Sequence, residues 1–290
     1  MKKIVPLLVF LTGSLLAQQP PGTEILLFDL KQSKNSIQLL NPKNITNRTG
    51  YDNQPHFHPE KPLVYFSSAD ESGRTDIMVY DHVTGETTKL TDTSEREYSP
   101  TVTPDGKFIS CIIQRDNGAQ DLGKYPIEGG EPVVIIDNLI VGYHTWINDD
   151  VLLLFVLGRP NTLRLYSISE KKDLVLAENI GRSLHRIPGT NDISFIDKQD
   201  VEWQIKKYNS KNGTIETIAP TLPNREDMAW TKDGKILMSD GVNLFFIQPN
   251  KYSAWSRVTL PKGMTLQGIS RLAINASSSK ITIVIDEIKN

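Results

Sequence analysis

Hydrophobic and polar positions along the chain fall into short runs, and the runs come in pairs. From Ser99 the chain reads Ser-Pro-Thr-Val-Thr-Pro-Asp-Gly-Lys-Phe-Ile-Ser-Cys-Ile-Ile-Gln114. A short alternating run (Thr101, Val102, Thr103) ends at Pro104, Asp105 and Gly106, and a more continuous apolar run, Phe108 to Ile113, follows at once. Asp-Gly between two β-rich runs predicts a tight hairpin, because glycine accepts the positive φ such a turn requires. The pair recurs. Upstream, Gln54-Pro-His-Phe-His-Pro59 leads through Glu60, Lys61 and Pro62 into Leu63-Val-Tyr-Phe66. Downstream it returns with turns at Asp149-Asp150, at Gly189 to Asn191, at Asp233-Gly234 and near Ser277. Hairpin starts spaced by roughly 40 to 45 residues have the period of four-stranded propeller blades.

The second half of each unit repeats as well. Asp76-Ile-Met-Val-Tyr-Asp81 is followed by the turn Thr84-Gly85-Glu86 and then by Thr88-Lys-Leu-Thr-Asp92. Leu122 to Ile127 with Val133 to Ile136, Thr162 to Ile168 with Leu174 to Leu176, and Gln204 to Tyr208 with Ile215 to Ile218 continue the series; Asn243 to Ile247 with Trp255 to Leu260 is the fifth. Five units are thus expected over 54–92, 98–137, 143–177, 184–219 and 227–260. A sixth, 269–286, has only two strands. The chain's start, 23–41, supplies the other two, Glu24 to Leu30 and Ser36 to Leu40. The expectation is an all-β, six-bladed β-propeller of four-stranded blades, one domain over 20–290. N-terminal strands complete the C-terminal blade and so remove the open edge of the ring.

Two stretches carry a resemblance. Ser99-Pro-Thr-Val-Thr-Pro-Asp-Gly-Lys107 and Tyr80-Asp-His-Val-Thr-Gly-Glu-Thr-Thr-Lys-Leu-Thr-Asp92 resemble the Pro-Asp, WD40-like repeats of TolB-like β-propellers. Such repeats also occur in the propellers of prolyl-oligopeptidase-like peptidases and in oligogalacturonate lyases. The resemblance therefore implies a propeller and an envelope setting more firmly than it implies an activity. No α/β-hydrolase segment follows the repeats, as the peptidases would require.

Composition changes the picture at one place. Met1 to Ala17 has a basic start, an apolar centre and a small residue ahead of Gln18-Gln19, which reads as a secretory signal peptide over 1–19. The apolar run is short for a membrane span, no other stretch is apolar enough, and the mature chain is expected in the periplasm or outside the cell with no membrane span. A formal net charge of −2 gives no reason to expect nucleic acid as a partner. Cys111, the single cysteine, lies in an apolar strand and is expected to act as a small buried hydrophobe. A monomer is expected.

No local catalytic motif is present: no Gly-x-Ser-x-Gly, His-Glu-x-x-His, Cys-x-x-Cys or phosphate-binding glycine loop. The loops that enter the inner strands converge on the mouth of the funnel. They offer Tyr51, Asp52 and Asn53; Glu97 and Tyr98; Tyr143 and His144; Arg182; Arg225, Glu226 and Asp227; and Arg271. Tyrosine, arginine and carboxylates together suit a polar peptide or carbohydrate surface, and loops on a rigid scaffold are where function concentrates. The alternative is that these are ordinary turn and capping residues. His56, His144 and His185 fall in inner strands, where neutral imidazoles would be candidate metal ligands as in a propeller lyase or hydrolase. His56 and His185 lie about three blades apart, so histidines packed between blades are the favoured reading, with no cofactor. Phe57, Trp146 and Trp230 share a repeat position and are expected to fill the space between blades. Trp203, in a polar loop, is the candidate anchor for a carbohydrate-binding reading. The favoured function is non-catalytic binding of a protein or peptide, as a cell-envelope scaffold.

Overall fold

The computed structural model describes residues 21–249, 251 and 254–288; the leader expected over 1–19 lies outside the described residues. The local rule that builds the fold is visible in each hairpin. At 103–108 the Thr103 hydroxyl donates to Asp105 (2.6 Å) and accepts from the Phe108 N–H (3.1 Å), while Gly106 takes φ +68°. Thr231, Asp233 and Gly234 repeat it, with Thr231 donating to Asp233 at 2.6 Å and Gly234 at φ +81°. These turns set the register of the first two strands of their blades.

Among the described residues, twenty-four strands form six four-stranded antiparallel sheets. The first blade, from the axis outward, is β3 (Asp52–Phe57), β4 (Leu63–Ala69), β5 (Thr75–Asp81) and β6 (Thr87–Lys89). Blades two to five begin at β7 (Arg96–Val102), β11 (Val141–Trp146), β15 (His185–Arg186) and β19 (Met228–Trp230). The sixth has the order β2-β1-β24-β23, joining β1 (Thr23–Gln32) and β2 (Ile37–Asn44) to β23 (Arg271–Ile274) and β24 (Lys280–Asp286). N- and C-terminal strands therefore share one blade, as the repeat count requires, with β1 and β24 paired antiparallel from Thr23↔Asp286 to Asp29↔Lys280. Both N-terminal strands are longer than the sequence runs suggested, and the fourth strand of the fifth blade is shorter, Ser256–Arg257.

The continuous apolar second strands have a physical reason. Each is covered on both faces, because a blade is sandwiched between two others. In β12 (Val151–Val156), Leu152, Leu154 and Val156 enter the core shared with the second blade, while Leu153 and Phe155 enter the core shared with the fourth. Six such cores surround the axis, one per blade interface. Cys111 is fully buried in one of them. No helix among the described residues is long and apolar enough to cross a membrane.

Candidate functional site

The six inner strands surround a channel of about 600 Å³ along the axis. At the end where the loops enter, the ring contributes one side chain per blade: Tyr51, Tyr98, Tyr143, Arg182, Asp227 and Arg271. Arg182 donates to both carboxylate oxygens of Asp227 (3.3 and 2.8 Å), and Arg271 reaches the same carboxylate at 2.9 Å. The other end of the Arg271 guanidinium donates to the Tyr143 hydroxyl at 2.9 Å and lies 5.6 Å over its ring. Tyr143 and Arg271 stand on the third and sixth blades, opposite one another, so this bond spans the axis. Tyr51 and Tyr98 meet edge to face at 6.4 Å. Burial first, and then the neighbouring Tyr143, push the Tyr51 phenol well above its ordinary pKa, so it remains a hydroxyl donor. Burial opposes the charge on Arg182, but Asp227 outweighs it and holds the guanidinium protonated.

Apart from His144, which lines the channel, the remaining residues singled out at the mouth turn away from the axis. Asp52 is buried under Arg48 (2.8 Å), which also donates to Ser68 and to the Ala69 carbonyl, fastening the link from the sixth blade to the first. Asn53 donates to Thr23 at 3.3 Å. Glu97 is buried between Thr93 (2.6 Å) and the Tyr125 hydroxyl (2.9 Å); burial raises its pKa and these bonds partly offset that. Glu226 joins Lys198 and Arg182, and Arg225 donates to the Asp240 carbonyl. These are fastening residues. β-bulges follow directly in the first two inner strands, between Asn53 and His56 and between Tyr98 and Thr101. At those bulges Gln54 and Ser99 both take φ +56° ahead of a proline, a conformation that costs an L residue about 1–2 kcal/mol. The Gln54 side-chain oxygen accepts from the Ser99 N–H at 2.8 Å and Ser67 at 3.1 Å, which holds the pair in place.

Along the channel wall stand His56, His144 and His185. Burial pushes His56 and His185 down to about 4 and His144 to about 3, so all three are neutral at pH 7. For His56 the mutual repulsion with His185 adds to burial. His144 pairs with Ser110 of the previous blade (2.7 Å), and His185 with Ser183 (2.9 Å). Among the described residues no group of three or more His, Cys, Asp or Glu side chains is placed to hold a metal. His58 belongs elsewhere: its Nδ1 accepts the N–H groups of Glu60 and Lys61, closing a turn.

Sequence reasoning overlooked a recurrent serine. Ser110 and Ser194 each follow a fully buried isoleucine (Ile109, Ile193) in the second strand of their blade, each donating to an inner-strand carbonyl (3.0 and 3.1 Å) and accepting the indole N–H of the next blade's Trp146 (2.9 Å) or Trp230 (2.8 Å). Thr282 occupies the same place opposite Phe57, which has no donor to offer. A polar residue inside an otherwise apolar repeat was the available signal. Trp203 is half-buried, with Lys198 4.5 Å above its ring. The turn after Ala69 is held by Asp70 accepting from Ser72 and Arg74.

No family model and no curated protein sequence matches the chain. Solved structures match it in shape. A putative TolB from Agrobacterium tumefaciens gives a TM-score of 0.71 at 12% identity, covering 93% of this chain and 100% of that one. TolB from Acinetobacter baumannii gives 0.57 at 11% identity over 91% of this chain and 64% of that longer one. An oligogalacturonate lyase in complex with manganese gives 0.57 at 12% identity, over 87% and 82%. At such identities the likeness is one of fold, and the fold does not choose among these proteins' activities.

Proposed function

We propose that this chain is a non-catalytic, TolB-like propeller of the periplasm or cell exterior that holds a protein or peptide partner at the loop-side mouth of its axis, as part of an envelope scaffold. The observation that carries this reading is the convergence of three tyrosines, two arginines and one aspartate, one residue from each blade, on a single rigid rim. Tyrosine and arginine are the residue types that dominate binding energy at protein interfaces. Held by a closed ring, they lose little freedom when a partner docks. Asp227 and Glu226 are committed to arginine, an arrangement suited to recognition more than to proton transfer.

The test is capture from an envelope extract by the mature protein and by a Tyr51→Ala/Tyr98→Ala variant of unchanged thermal stability. A protein retained by the first and lost by the second supports the reading. Identical capture by both overturns it. Elemental mass spectrometry of protein purified without chelators or an added histidine tag is the companion measurement. One tightly held transition metal per chain, lost in His56→Ala and His185→Ala, would move the assignment to a metal-dependent lyase or hydrolase. Fractionation of cells tests the compartment, with the leader absent from the exported form.

A further inference from the structure

The channel, whose far end is where the hairpin turns gather, differs in charge from the chain as a whole. Its lining as a whole holds four cationic side chains, Arg182, Arg186, Lys232 and Arg271, and one carboxylate, Asp227, in a chain of formal net charge −2. Asp227 lies at the loop end and already serves two guanidinium groups. Arg186 and Lys232, on adjacent blades at the turn end, are exposed and stand in no ion pair among the described residues: Arg186 donates to the Thr190 carbonyl and to Asn191, and Lys232 uses only its backbone N–H, on Ser278. A second hollow opens beside Arg186 and carries Lys211 as a third cation. Its one carboxylate, Asp192, accepts from the Ser210 N–H at 3.0 Å.

We infer that the turn end of the axial channel is a binding site for an acidic peptide segment, whose carboxylates are received between Arg186 and Lys232. The site lies at the opposite end of the axis from the rim proposed above and does not depend on it. Carboxylates taken from water need charged, hydrogen-bonding partners, and the charges that line this channel without an ion pair among the described residues are positive. Neutral imidazoles along the wall add hydrogen-bonding capacity and no competing negative charge. Ile187, Pro188 and Ile274, partly exposed beside the turns, supply apolar wall between the polar groups, which suits a peptide backbone and methylene stems. An acidic oligosaccharide shares the carboxylate chemistry but brings many hydroxyl donors, and the one carboxylate of the lining, Asp227, already serves two guanidinium groups. The volume, about 600 Å³, accommodates a few residues.

The probe is a fluorescent tetraglutamate peptide with both ends blocked, followed by anisotropy on the mature protein. Tetralysine and a trigalacturonate serve as competitors. Tetraglutamate is expected to bind, to weaken as salt is raised, and to lose about tenfold or more in affinity in Arg186→Glu/Lys232→Glu. Lys232→Gln, on an exposed side chain, should give a smaller loss in the same direction and guards against misfolding of the double variant. Tyr51→Ala/Tyr98→Ala should bind the peptide as the parent does, so failure at one end is distinguishable from failure at the other. No binding, equal binding by parent and charge-reversed protein, or displacement by trigalacturonate in preference to acidic peptide would each overturn the inference.

Discussion

The two ends of the axial channel are built from the same six inner strands, yet one is closed by side chains and the other stands open. At the loop end the decisive bonds join distant parts of the chain. Arg271 reaches Tyr143 across 128 positions of sequence, and Arg182 reaches Asp227 across 45. At the turn end the bonds are local: Thr103 with Asp105, His58 with the Glu60 and Lys61 N–H groups, Asn275 with Ser279 and Lys280. A turn satisfied by its own residues has little left to offer the turn beside it, although Lys232 N–H does donate to Ser278 at 2.7 Å. In this channel, turns satisfied locally leave one mouth open, and long-range ion pairing closes the other.

Acidification should blur that contrast most. His56, His144 and His185 lie between the ends with pKa values lowered from 6.5 to about 4, 3 and 4. The unfolded chain takes up protons first, so stability is full above about pH 6.5 and is lost as pH falls toward 4, by up to about 1.4 kcal/mol per unit for each imidazole. Urea midpoints should therefore fall steeply between pH 6.5 and 4, and His144→Gln should flatten the slope. A slope unchanged in that variant would contradict the burial argument.

Asp227→Ala comes next. It leaves Arg182 and Arg271 facing each other without their shared carboxylate, at a cost of about 2 kcal/mol after allowance for their partial exposure. At the open end, Arg186→Ala should stay within about 0.5 kcal/mol. Equal effects in urea unfolding would erase the distinction. Ser110→Ala tests the wall joining the two ends. It strips a partner from both the Trp146 indole and His144, and should cost about 1–2 kcal/mol. Ser194→Ala, which leaves only the half-buried Trp230 indole unpaired, should cost less. Tyr143→Phe, which removes the bond across the axis but keeps the ring beneath Arg271, should cost about 0.5–1 kcal/mol. A larger loss would mean that the loop-end closure carries more of the fold's stability than its geometry suggests.

How far the site was legible depends on which residue is considered. Tyr51, Tyr98, Tyr143, Arg182, Asp227 and Arg271 were found by position in the repeat, and the structure brings them to one rim. Asp52, Asn53 and Glu97 come from the same loops and face inward to the blades. Counting alternate residues separates Asp52 from Tyr51 and Glu97 from Tyr98 but not Asn53 from Tyr51, two positions apart, and the contact with Thr23 is what sets Asn53. Arg186 and Lys232 carry no motif that marks them in the sequence, and only the cavity beside them gives their charges a direction.

What the sequence determined by itself was the repeat: turn chemistry within five residues, second strands apolar on both faces, and a two-strand deficit at one end matched by two strands at the other. Those signals are local or periodic, so a single chain suffices to read them. The tertiary structure alone decided which side chains share the axis, which arginines share Asp227, and which end of the channel is closed. Each of those depends on the angle at which six blades meet, and that angle is set by packing at every interface together.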